Sequence, residues 1–259
     1  MGPFQLIAGY IFLAFGCLSA PIYARIVFIF ISKDKYRKLE CFQIMIQSGC
    51  VQLLTVPGTI FCGLTQILDY NPYGLNDIFM ALCVAAVRTE AVLSAVLALN
   101  RLKTMCKIQY PKMVDWMLIM IAYGYGITYF SLFLTPFAHI SYRPGRYLAQ
   151  NDYTKPYTRL VALSGSIIAV ISYCSAFVIY LIVIGYMLWM RNRSSGPISR
   201  LQEKKILGYA IIRFLSDTAL AVMQNLFPLP QGDVQFIGSF AYCVNCLLLP
   251  PVLYLSLSK

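Results

Sequence analysis

Four charged residues interrupt the most apolar stretches of this chain: Arg88, Glu90, Arg213 and Asp217. An ion without a partner is costly in apolar surroundings, so each of them must find an opposite charge, a polar partner or a wet cavity. Arg88 and Glu90 are two apart, so on a helix they point in different directions. Arg213 and Asp217 are four apart and can pair along one helical face. Three kinds of chemistry fit such a set: structural glue between helices, the polar floor of a ligand cavity or a two-state lock, and a step in a transport path. Catalysis is not indicated. Neither H-E-x-x-H nor G-x-S-x-G occurs, and no pair of aspartates is placed to activate water. His139, the sole histidine, cannot build a metal site alone. Cys243 and Cys246 have C-x-x-C spacing, but no second pair accompanies them, and small apolar cysteines are ordinary core residues. Ser164 to Ser166 (SGS) reads as a small-residue patch for close helix packing. No cofactor and no metal are expected.

The elements that must position these charges are long. Of 259 residues, 59% are apolar and only 12% charged, about half the usual charged share. Several apolar runs exceed the roughly 20 residues that one hydrocarbon span needs, whereas buried strands run about 4–8 residues. The spacing predicts an all-α membrane protein, a single domain of seven spans over residues 4–31, 41–68, 78–99, 113–137, 158–190, 206–227 and 234–257. The stretch from Pro3 to Ile31 lacks a basic leader and is far longer than a signal-peptide core, so it reads as the first span. Pro57 is expected to kink the second span. The fifth is longer than a membrane is thick and should tilt or project.

Charge orients the bundle. The links after spans one, three and five carry 13 basic residues, among them Lys33, Arg37, Arg101, Lys107, Arg191 and Arg200. The other links carry four: Arg143, Arg146, Lys155 and Arg159. By the positive-inside rule the N-terminus lies outside and the C-terminus in the cytoplasm. The same rule explains the net charge of +11 without a nucleic-acid partner. Trp116 and Trp189 fall at inner interfaces, Arg25 can snorkel, and Asp115 is expected to cap the fourth span or meet Lys112. Glu90 is about 13 residues below Asp77, and Arg213 about 14 below Phe227. The two should therefore meet near the midplane.

This layout resembles that of G-protein-coupled receptors. Leu99-Asn100-Arg101 at the inner end of span three resembles the acidic-Arg-aromatic motif, with Asn100 where an acid often stands. Pro250 to Tyr254 (PPVLY) resembles N-P-x-x-Y, with Pro251 and Tyr254 matching. The chain is most similar to the nematode serpentine chemoreceptors, especially class T. The matching features are KYRKLECFQIM (Lys35 to Met45), ALNR (Ala98 to Arg101) and the Pro-Tyr ending. The resemblance spans Phe4 to Tyr254. It implies a plasma-membrane receptor, of a kind often found on sensory cilia, that binds a small molecule from outside and activates a heterotrimeric G protein. It assigns coupling and switching to Asn100, Arg101, Pro251 and Tyr254. Span two offers Gln52 where many receptors carry Asp, span six lacks C-W-x-P, and no cysteine occurs between His139 and Tyr157 to form the usual outer disulfide. A seven-span transporter and a non-signalling partner protein are the alternative readings.

Overall fold

The computed structural model describes residues 2–37, 39–108, 111–193, 208, 211–212, 214–220, 222–223 and 232–252. The main elements are α1 (Pro3–Ser32), α2 (Asp34–Arg37), α3 (Glu40–Leu53), α4 (Thr55–Leu68), α5 (Leu75–Cys106), α6 (Lys112–Phe133), α7 (Thr158–Arg193) and α8 (Asp233–Leu247). A short hairpin of β1 (Ile140–Ser141) and β2 (Gln150–Asn151) joins α6 to α7. Within 206–227, the described residues 211–212, 214–220 and 222–223 are helical. Among the described residues six helices, with α3 and α4 counted as one, are long and apolar enough to cross a bilayer. Their outer faces carry Leu18, Ile22, Phe28, Met120, Ile127 and Ile171, all exposed. In water such a surface would drive aggregation, while lipid tails solvate it.

Prolines decide where the helices break. The second span is two helices, α3 and α4, that part at Leu54. Pro57 has no N–H for the carbonyl of Leu53. The backbone tightens there instead: Leu54 N–H bonds Val51 O at 3.1 Å, and Thr55 Oγ1 donates to Gln52 O at 2.7 Å. A second break at Leu248 precedes Pro250 and Pro251, which leave the carbonyls of Cys246 and Leu247 without helical donors. Helix α6 ends at Phe133, short of the expected 137, because the residue before Pro136 is pushed out of the helical region. Helix α5 runs beyond the expected 78–99 at both ends. Its far end is polar, and neighbouring helices hold it through Arg101 and Lys103.

Helix α5 is central and packs against α3, α4, α6 and α7. Its buried face is rich in alanine (Ala81, Ala85, Ala86, Ala91, Ala98), which lets neighbours approach closely. Among the described glycines, backbone meets backbone most closely between α1 and α4. A Cβ added to Gly63 would lie 2.7 Å from both Gly9 O and Leu13 N. These are backbone atoms that cannot swing aside. Gly63→Ala should therefore force α1 and α4 apart and cost about 1–3 kcal/mol, read as a lower Tm of the purified protein. An unchanged Tm would show that the two helices do not meet this closely.

The hairpin lies across the end of the bundle where α4 finishes and α5 begins. Arg143 to Arg146 form its turn, closed by Arg146 N–H on Arg143 O at 3.2 Å. Pro144 at the second position and Gly145 at the third, with φ +76, are the residues a type II turn requires.

Candidate functional site

A cavity of about 1030 Å³ opens beneath the hairpin and descends between α5, α7, α8 and the helix containing Asp217. One helical face of α7 lines it, through Arg159, Ala162, Ser166, Ala169 and Tyr173. This is the i, i+3, i+4, i+7 stripe of a helix. Three of the four charges that interrupt the apolar stretches, Arg88, Glu90 and Asp217, reach this cavity. Arg213, the expected partner of Glu90, lies outside the described residues.

Each charge has a polar neighbour that the sequence did not single out as one. Glu90 is buried, and its Oε1 accepts a hydrogen bond from Gln52 Nε2 on α3. Gln52 Oε1 in turn accepts from the hydroxyl of Tyr23 on α1. Three helices are thus joined by one buried chain of side chains. Gln52, which stands where many receptors carry Asp, is its middle link. Asp217 is also buried, and it accepts from Asn245 Nδ2 of α8 at 2.6 Å. Arg88 turns to α7, where its Nη2 donates to Ser166 Oγ at 3.2 Å. Ser166 was expected only to ease packing, and the structure gives it this polar contact. Gln52 and Asn245 carried a usable signal, since uncharged amides inside apolar spans are costly without partners.

The far end of the bundle holds the second set of candidates. Arg101 is buried, and its Nη2 donates to Cys41 Sγ on α3. Asn100 is fully buried, and its amide nitrogen and oxygen have no hydrogen-bond partner among the described residues. Lys103 Nζ lies 3.0 Å from both Glu40 Oε2 and Asp115 Oδ2, tying α3, α5 and α6 together. Asp115 thus meets Lys103, because α5 extends far enough to bring Lys103 level with it; the side chain of Lys112 lies outside the described residues. Pro251 is buried, and Tyr254 lies outside the described residues.

The two ends share one seam. Glu90 meets Gln52, and Arg101 meets Cys41. In each pair the contact lies eleven residues further along α5 and eleven residues back along α3, as an antiparallel packing requires. Eleven residues is three full turns, about 16 Å of rise, so both contacts fall on one face of α5.

The hairpin is fixed without a disulfide: the nine cysteines are all free. Polar side chains of the bundle do the work. Asp77 Oδ1 accepts Tyr142 N–H at 2.8 Å, and Gln235 Oε1 accepts Tyr147 N–H at 3.0 Å. Gln66 makes three contacts with the loop: its Nε2 donates to Tyr142 Oη at 2.9 Å and to Arg146 O at 2.6 Å, and its Oε1 accepts Gly145 N–H at 2.9 Å. Burial pushes the Tyr142 phenol well above its ordinary range, so it stays neutral and available as donor to Cys62 Sγ. His139 is not free surface: its Nε2 lies 3.8 Å from Asp77 Oδ2. Thr154, through its hydroxyl and its N–H, holds the Asp152 carboxyl below the usual range beyond β2. Among the described residues no three His, Cys, Asp or Glu side chains cluster as metal ligands.

In fold the chain is similar to squid rhodopsin, with a TM-score of 0.74 at 11% sequence identity, over 96% of this chain and 81% of that one. No family model matches the sequence. No curated protein matches it either. The likeness shows a rhodopsin-like seven-helix fold.

Proposed function

We propose that the chain is a chemosensory G-protein-coupled receptor of the plasma membrane, which binds a small molecule in the cavity beneath the hairpin and activates a cytoplasmic heterotrimeric G protein. The observation that carries this reading is the cavity itself. It is a ligand-sized volume inside a rhodopsin-like bundle, with an apolar wall and a few convergent polar groups. The α3–α5 seam supports it, because one helix pair runs from Glu90 at the cavity floor to Arg101 at the other end. The sequence resemblance to nematode class T serpentine receptors supports the chemosensory assignment and a place on sensory cilia. Asn100, Arg101, Pro251 and Tyr254 are the residues proposed to couple and switch, and the charges Glu90 and Arg213 are proposed to meet at the midplane.

Two experiments test this reading. The basic links orient the hairpin outward, so an epitope tag in 143–146 should be reached by antibody on intact cells, and one between Arg193 and Arg200 only after permeabilisation. The reverse pattern would remove the hairpin from the ligand-facing side. Arg101→Ala should leave surface expression largely intact and at least halve agonist-driven nucleotide exchange on a co-expressed G protein. Equal exchange in mutant and parent would exclude Arg101 from coupling.

A further inference from the structure

The charges around the cavity are unevenly answered. Its two acids each meet an amide of a neighbouring helix, Glu90 from Gln52 and Asp217 from Asn245. Among the described residues Arg88 meets neutral hydroxyls: its Nη2 donates to Ser166 Oγ, and the Tyr129 phenol lies beside it. Its buried Nε has no hydrogen-bond partner, and no carboxylate forms an ion pair with it, among the described residues. Two further cations, Lys155 and Arg159, line the cavity where the hairpin meets α7. Ser166 lies seven residues further along α7 than Arg159, about 10 Å deeper. Between these levels the wall is apolar, with Val84, Val87, Ala162 and Leu163. A molecule entering by this route meets cations first, then apolar wall, then a guanidinium flanked by two hydroxyls.

We infer that the cavity binds a small organic monoanion with an apolar body, its carboxylate seated on Arg88, Ser166 and Tyr129. One guanidinium compensates one negative charge, and its planar fork suits the two oxygens of a carboxylate. The second charge of a phosphate dianion seated on Arg88 would lie about 10 Å below the level of Arg159, in a site that also holds Glu90 and Asp217. An amine would have to compete with the amides already on those acids. The inference rests on the cavity being the receptor's ligand site, and it adds the chemical class of ligand.

The test uses the full chain in lipid nanodiscs and a matched set of probes: phenylbutyrate, phenylbutanol, phenylbutylamine and inorganic phosphate. Affinities are read by thermal-shift titration. The acid is expected to bind about tenfold to a hundredfold more tightly than the alcohol, the gain from one charge-assisted hydrogen-bonded contact. Arg88→Gln should bring the acid to the alcohol's level and leave the alcohol's affinity within about threefold. If that variant does not fold, Ser166→Ala serves in its place and should weaken the acid severalfold while sparing the alcohol. The inference is overturned if the amine binds best, if phosphate protects as well as the acid, or if the acid gains nothing over the alcohol or shows no shift at millimolar concentration. The receptor reading fails separately: an acid that binds through Arg88 but never drives nucleotide exchange keeps the anion site and removes the receptor. Exchange driven by the amine alone does the reverse.

Discussion

Gln66→Leu will lower the Tm of the purified protein by on the order of 10 °C and free the hairpin from the bundle. Leucine nearly matches the volume of glutamine, so packing is conserved while every polar contact of the side chain is lost. Gly145 N–H and the Arg146 carbonyl lose their Gln66 partner at once, and the Tyr142 hydroxyl is left with Cys62 alone. Leaving one buried polar group unsatisfied costs about 1–3 kcal/mol. Together they approach about 3–6 kcal/mol, and each kcal/mol is worth about 2–4 °C in a protein of this size. The hairpin can relieve the penalty only by lifting into water, which exposes Tyr142 and Tyr147 from their places on Phe12 and Cys62. Backbone hydrogen exchange should therefore rise sharply over 140–151 while α5 stays protected. Tyr142→Phe removes a single hydroxyl and should cost about 1 kcal/mol, with a much smaller change in exchange. An unchanged exchange rate over 140–151 in Gln66→Leu would show that the latch is elsewhere. The effect is large because nothing covalent backs it up: no cysteine lies between His139 and Tyr157.

Gln66 also shows where the sequence stops being readable. The helices were legible because apolar runs of more than twenty residues admit few other structures. One break was legible too, at Pro57, which removes a helical donor; the ends before Pro136 and Pro250 were not read, although the same physics sets them. Depth along a span was equally accessible, and it placed Arg88, Glu90 and Asp217 around the cavity's middle and floor. Rotation about each helix axis was not. Lipid tails are as apolar as a protein core, so the lipid-facing and buried faces of α1 or α5 are built from the same residue types. Without that angle, neither the amide that meets Glu90 nor the lysine of α5 that meets Asp115 could be read. The structure places Gln52 against Glu90 and Lys103 against Asp115. The hairpin was least legible of all, because its attachment depends on side chains from α4, α5 and α8 that are distant in the chain.

Gln52→Leu will destabilise the bundle by about 3–5 kcal/mol, and Tyr23→Phe will add less to that loss than it costs alone. Gln52 is buried between three helices, donating to Glu90 and accepting from Tyr23. Leucine removes both contacts. It takes the Gln52 acceptor from the buried Tyr23 hydroxyl, at about 1–3 kcal/mol, and withdraws one donor from the Glu90 carboxylate, a charge-assisted bond worth about 1.5–3 kcal/mol. Tyr23→Phe alone removes one hydroxyl from Gln52 and should cost about 1 kcal/mol. In the double variant the hydroxyl that used Gln52 as acceptor is gone as well. The combined loss should therefore fall short of the sum of the two by at least about 0.5 kcal/mol, in a thermal or chemical denaturation cycle. Strict additivity would show that the three side chains do not act as one chain. A second readout concerns signalling and rests on the receptor reading. Glu90–Gln52 and Arg101–Cys41 hold the same face of α5 against α3, so loosening the first weakens the packing that keeps Arg101 on Cys41. Gln52→Leu should then raise ligand-independent nucleotide exchange even as it lowers stability, because an equilibrium shifts toward whatever state loses less. A fall in basal exchange that merely follows the amount of folded receptor would assign Gln52 to stability alone and uncouple the cavity floor from Arg101.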